Sequence, residues 1–83
     1  MKGELTMEAR KNANYEIIAA VRVSSVQEIV IGRNRVAPEP YVCWYCLNGD
    51  DYFLGQYRGS YEAALKVMAE RINIMGRSVS DDF

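Results

Sequence analysis

The sequence contains no histidine. That removes the commonest general base, the commonest metal ligand and the side chain whose charge changes near neutral pH. Ser-His and Cys-His nucleophile pairs are excluded, as are zinc sites built on the usual His ligands. Long apolar runs are also missing, and none approaches the roughly 18 residues that a spanning helix needs. The opening stretch MKGELTMEARKNANYE has no apolar h-region, so neither a signal peptide nor a membrane is expected, and a cytoplasmic location is. Nor is there a basic surplus: 10 Lys and Arg stand against 11 Asp and Glu, for a net charge of −1. A general nucleic-acid binder carries a clear positive excess. The glycines Gly32, Gly49, Gly55 and Gly59 fit neither a Walker nor a Rossmann spacing.

What is present is ordinary for a single globular domain: 83 residues, 49% apolar and 25% charged. Charge is split along the chain, with +2 over residues 1–35 and −3 over residues 36–83. Residues 1–13 are polar and poorly patterned and are expected to be a flexible segment, as is the tail from 77 to 83. The domain is placed at 14–76.

Within it, Tyr15 to Val23 reads as a strand, with Tyr15, Ile17, Ala19, Val21 and Val23 on one face. A Ser24-Ser25 turn leads to a second strand, Val26 to Arg33, rich in β-branched residues. A Pro-containing loop precedes a third strand, Tyr41 to Leu47. Asn48-Gly49 then signals a two-residue type I′ hairpin into a fourth, Asp51 to Tyr57. That register sets Trp44 opposite Phe53 and Tyr45 opposite Tyr52. Ser60 is an N-cap for a helix with Tyr61, Ala64, Leu65, Met68, Ile72 and Met75 on one stripe, Lys66, Glu70 and Arg71 toward the other side, and Gly76 as C-cap. The expected fold is α+β: a four-stranded antiparallel meander with one C-terminal helix packed on one face. Val42, Trp44, Cys46, Phe53 and Gly55 are expected to meet the helix, with Gly55 admitting its close approach.

Cys43-Trp44-Tyr45-Cys46 is the one pattern that resembles site chemistry. A redox C-x-x-C sits at a helix N-terminus, where the dipole lowers the thiol pKa; this one lies inside a strand. Residues three apart in a strand point to opposite faces with Cα atoms roughly 10 Å apart, beyond the reach of a disulfide. A structural zinc wants four ligands, and this chain offers neither a third cysteine nor a histidine. Both cysteines therefore read as small buried hydrophobes, and no metal or cofactor is expected. Asp50 and Asp51 have a structural reason to stand at a hairpin turn. With no catalytic set in view, the protein is not expected to be an enzyme.

Six tyrosines, many within 41–57, suggest instead an amphipathic sheet face suited to a protein interface. Tyr41, Tyr45, Tyr52 and Tyr57 are the candidate contact residues. Arg33 and Arg35 stand at the rim, where with Arg22 they would meet a phosphate or an acidic partner.

Two resemblances extend this reading. The stretch YVCWYCLNGDDYFLGQYRGSYEAALKVMAERI resembles, in topology, a double-stranded RNA-binding domain. That family opens its helix with a lysine cluster on the phosphates. The matching place here reads RGSYEAALK, and losing those charges removes most of such affinity. APEPYVCWYC, DYFLGQY and YEAALKVMAERI, within residues 26–72, are similar to small uncharacterised proteins of conjugative and phage-like elements in anaerobic Gram-positive bacteria. The resemblance implies a mobile-element accessory protein that binds a host or element protein; inhibitors of bacterial immunity such as anti-CRISPR proteins are one such class. A non-enzymatic protein-interaction module, partnered or self-associating, is the resulting expectation. An inhibitor of a nucleic-acid enzyme, acting through Glu39, Asp50, Asp51 and Glu62, and a nucleic-acid binder remain as alternatives.

Overall fold

A computed structural model of the chain describes residues 10–81. The order is β1 (Lys11–Asn12), β2 (Tyr15–Arg22), β3 (Gln27–Arg33), β4 (Tyr41–Leu47), β5 (Asp51–Arg58) and α1 (Tyr61–Asp81). All five strands pair antiparallel with their sequence neighbours, in the order β1-β2-β3-β4-β5. The α+β class, the meander and the C-terminal helix are as expected, but the sheet has five strands rather than four. The additional strand lies inside the stretch 1–13. Lys11 pairs with Glu16 and Asn12 with Tyr15 across a two-residue loop, in which Ala13 (φ 53°) and Asn14 (φ 68°) both have positive φ. A type I′ hairpin needs that conformation. Ala13 does not advertise it, so the turn was not legible. The expectations for residues 1–9 and 82–83 lie outside the described residues.

Ser60 caps α1, its hydroxyl accepting from the Ala63 amide at 3.1 Å. The helix runs past the expected Gly76 cap to Asp81, so residues 77–81 belong to it.

Two bulges decide which face each side chain takes. The first falls between Ile17 and Ala19 in β2. It breaks the single expected face: Tyr15 and Ile17 join a cluster with Trp44, whereas Ala19 and Val23 join the helix side. The second lies opposite Trp44, between Phe53 and Gln56 of β5, where Leu54 has φ 54°. The β4–β5 register also differs from the expected one. Leu47 pairs with Asp51, Cys46 with Tyr52 and Tyr45 with Phe53, so the loop has three residues instead of two. Tertiary bonds hold the wider loop: the Asn48 amide donates to Val26 O at 2.7 Å, and Gly49 O accepts from Arg10 and Tyr52, each at 3.4 Å. A one-residue slip exchanges the faces of a strand, so Tyr52 now joins Trp44 and Phe53 joins Tyr45.

Both faces of the sheet carry a core. Helix α1 packs Ala64, Val67 and Met68 on Ile29, Ile31 and Cys43. This corrects the expectation that Val42, Trp44 and Cys46 meet the helix. Those three face away from it, in a second core with Tyr15 and Val30. Here the curled sheet covers itself. The Trp44 indole, 4% exposed, rests against the backbones of Gly32 and Gly55. A Cβ on Gly55 would lie 2.5 Å from Trp44 Nε1, and one on Gly32 would lie 2.9 Å from its Cζ3. Gly55 thus admits the indole, not the helix. Tyr15, Tyr52 and Tyr57 surround the ring at centroid distances of 5.8, 5.6 and 6.4 Å. Arg10 closes this core, binding Glu28 through both terminal nitrogens (2.9 and 3.3 Å) and Tyr52 Oη through Nε (3.1 Å).

Candidate functional site

Arg71 lies on the buried stripe of α1. It is three, four and seven residues beyond Met68, Val67 and Ala64, a spacing that keeps all four on one face. Only 7% of it is exposed. Nη1 donates to Cys43 O at 3.0 Å and Nη2 to Leu54 O at 2.7 Å, while the guanidinium carbon stands 4.4 Å from the centre of the Tyr45 ring. These carbonyls belong to the two strands that the bulge separates, so Arg71 completes the hydrogen bonding that the bulge leaves open. No carboxylate forms an ion pair with it among the described residues. Hydrogen bonds to charged groups contribute about 1.5–3 kcal/mol each, set against several kcal/mol for desolvating an ion. Carbonyl dipoles and a ring face thus hold a buried cation that no carboxylate pairs with among the described residues, although Glu70 lines the same cleft.

Beside this cation opens a cleft of about 430 Å³ between β5 and the middle of α1, lined by Tyr45, Leu54, Gly55, Gln56, Val67, Glu70, Arg71 and Ile74. Its rim is open to solvent, where Leu54 (65% exposed) and Ile74 (57%) present apolar surface beside the exposed Gln56 and Glu70. A left-handed conformation costs a bulky L-residue roughly 1–2 kcal/mol. Leu54 adopts it while its side chain stands in water. Cys43, whose carbonyl Arg71 holds, is fully buried, and burial pushes its thiol up despite the opposing pull of Arg71. Among the described residues, no three metal-ligating side chains come together.

The four tyrosines picked from the sequence do not share a face. Tyr45 reaches the cleft, stacked on Phe53 at 5.6 Å. Tyr41 packs on the helix side against Tyr61 at 5.9 Å. Tyr52 and Tyr57 lie on the opposite face around Trp44. Only Tyr57 of the four is exposed rather than half-buried. The supposed uncovered sheet face is thus occupied by its own core. Arg33 and Arg35 do come together at the β3 end, but Arg22 pairs across from Glu28 at the other end of that strand pair. Arg71, assigned by its charge to the solvent side, is the residue of this candidate site that sequence reasoning missed. Its helical spacing carried the signal.

Cys43 and Cys46 behave as the strand geometry requires. Both are free and fully buried, Cys43 under the helix and Cys46 in the Trp44 core. No helix among the described residues is long and apolar enough to cross a membrane. No protein-family model, curated protein or solved structure matches the chain.

Proposed function

We propose that this chain is a non-enzymatic protein-interaction module that takes its partner in the β5–α1 cleft. One observation carries the reading: the buried Arg71 guanidinium lies beside a cleft whose rim, Leu54 and Ile74, exposes apolar surface. Interfaces draw their binding energy from a few desolvated anchors ringed by apolar contacts, with Arg and Tyr prominent among them. The Leu54 bulge interrupts the outer edge of β5, and its carbonyl is already taken by Arg71, so side-chain docking is favoured over strand addition. The likeness of residues 26–72 to mobile-element proteins fits an accessory role of this kind.

A photo-crosslinking residue placed at Leu54 or Ile74, and as a control at Val36, which is 91% exposed on the Pro-containing loop, tests the site in cells. One shared product from the first two positions, absent from Val36, is expected. Equal labelling from all three would overturn the cleft assignment. Light scattering across a concentration series distinguishes a second copy of the chain from a different protein as the partner.

A further inference from the structure

At the other edge of the sheet, away from the cleft and independent of its reading, three cations converge on one pocket. Lys11 of β1, Glu16 of β2 and Arg33 of β3 stand in one cross-strand row, because Lys11 pairs with Glu16 and Glu16 with Arg33. Asn14 joins them from the β1–β2 turn, and Asn34 and Arg35 from the segment after β3, around an open cavity of about 390 Å³.

The charge balance is unusual for this chain. Glu16 offsets one cation through a long 3.9 Å contact with Arg33, so three positive side chains face one negative in a protein of net charge −1. A cross-strand ladder that only stabilised the sheet would need Glu16 with Lys11 or Arg33, not the further Arg35. The asparagines point to the same ligand. Asn34 is anchored by three hydrogen bonds within the loop. Its amide donates to Pro40 O at 2.7 Å, its carbonyl accepts from Ala37 at 3.1 Å and its Oδ1 accepts from the Val36 amide at 3.1 Å. With Oδ1 committed, the side chain offers its NH₂ donors.

We infer that this pocket binds a doubly charged phosphoryl group, either free phosphate or the phosphate monoester of a small molecule. Among the described residues the pocket's three cations and one carboxylate leave two positive charges, which match a phosphate group carrying about −1.5 to −2 at pH 7. Arginine forks and amide donors suit its tetrahedral oxygens. No aromatic ring lines the pocket, so the phosphoryl group itself, and not a stacked base, is what is recognised.

The test titrates the ¹⁵N-labelled full chain with sodium phosphate at pH 7.5, with ionic strength held constant by NaCl, and follows backbone amide and Arg Nε shifts. Saturable shifts confined to Lys11, Asn14, Arg33, Asn34 and Arg35 are expected. Arg33→Gln and Arg35→Gln should each weaken binding about tenfold while leaving the thermal midpoint within a few degrees. Phosphate affinity should fall between pH 7.5 and 5.5 as the dianion protonates, whereas sulfate, a dianion at both, should bind alike. Glycerol 3-phosphate binding more tightly than inorganic phosphate assigns the site to a monoester; equal or weaker binding assigns it to free phosphate. Non-saturable shifts, or shifts shared with the unrelated cations Arg22 and Lys66, would overturn the inference, as would full binding in both arginine variants.

Discussion

Replacing Gly55 by alanine tests the second core directly. A Cβ there would lie 2.5 Å from Trp44 Nε1, 2.8 Å from Cδ1 and 3.2 Å from a Val42 methyl. The first two distances lie well inside van der Waals contact, so the indole must move by most of an ångström. It has little room to do so. Its far edge already abuts Gly32, where a Cβ would come within 2.9 Å, and three tyrosines close the remaining sides. Overpacking a well-filled core costs typically about 1–3 kcal/mol, and this site belongs at the upper end, near 3 kcal/mol. A chain of 83 residues has of the order of 4–12 kcal/mol in all. The Tm should therefore drop by roughly 12–24 °C, given about 4–8 °C per kcal/mol in a domain this size.

Urea unfolding reads the effect by far-UV circular dichroism and, since Trp44 is the only tryptophan, by its fluorescence. Gly55 has no positive φ that would demand glycine on backbone grounds, so the penalty should vanish when the clashing ring shrinks. Measured in a Trp44→Phe background, Gly55→Ala should cost less than about 1 kcal/mol, a coupling of roughly 2 kcal/mol between contacting sites. Gly49 gives the contrasting case. It has φ +81° and open space around it, so Gly49→Ala should cost about 1 kcal/mol by strain alone, whatever occupies position 44. A Gly55→Ala cost under about 1 kcal/mol, or one that is the same whether position 44 carries tryptophan or phenylalanine, would show that the indole does not press on Gly55.

Three further outcomes are expected. Ala13→Gly should stabilise the protein by about 0.5–1 kcal/mol in the same unfolding assay, because alanine occupies a left-handed turn position at φ 53°. Arg10→Ala should cost roughly 2 kcal/mol, less than the 3–5 of a fully buried pair because Arg10 is 36% exposed, and Arg10→Ala with Glu28→Gln should recover part of it, since Glu28, 12% exposed, is then no longer a stranded charge. Burial pushes Cys43 and Cys46 up from an ordinary 9.0 and Tyr15 up from 10.0. The folded state thus keeps protons that the unfolded chain releases. Stability should be full below about pH 8 and fall as pH rises past 9, with the onset moving toward 10 in a Cys43→Ala, Cys46→Ala variant, as read by urea midpoints at each pH.

Much of the backbone was legible because it follows local rules. The four main strands begin and end near their expected residues, since alternating β-branched and aromatic runs are bounded by Ser24-Ser25, the Pro38–Pro40 loop and Asn48-Gly49. Ser60 marks the start of the helix. Opposite orientation of the two cysteines followed from the period of two and holds. Which face meets the helix was not legible, and the reason is specific. Each bulge inserts one residue, and one residue is enough to move a side chain across a sheet. Neither Ile18 nor Leu54 differs in type from a regular strand residue. The bulged conformation is fixed by partners distant in sequence, among them Arg71, which lies 17 residues beyond Leu54.

The same coupling explains why the candidate site escaped a reading based on residue type. Tyrosine density pointed to a sheet face, yet tyrosines here serve both cores, three of them around Trp44 and one under Arg71. The cleft depends on a bulge, the bulge on two carbonyls turned toward one guanidinium, and that guanidinium on its place in a helical stripe of Ala64, Val67 and Met68. If Arg71 served only to satisfy the bulge, Leu54 could be any residue tolerant of a left-handed conformation, and glycine or asparagine would relieve the strain. A leucine that is both strained and two-thirds exposed is opposed by backbone energetics and by solvation alike. The Arg71 hydrogen bond to Leu54 O offsets the first term, and a partner seated in the cleft would offset the second.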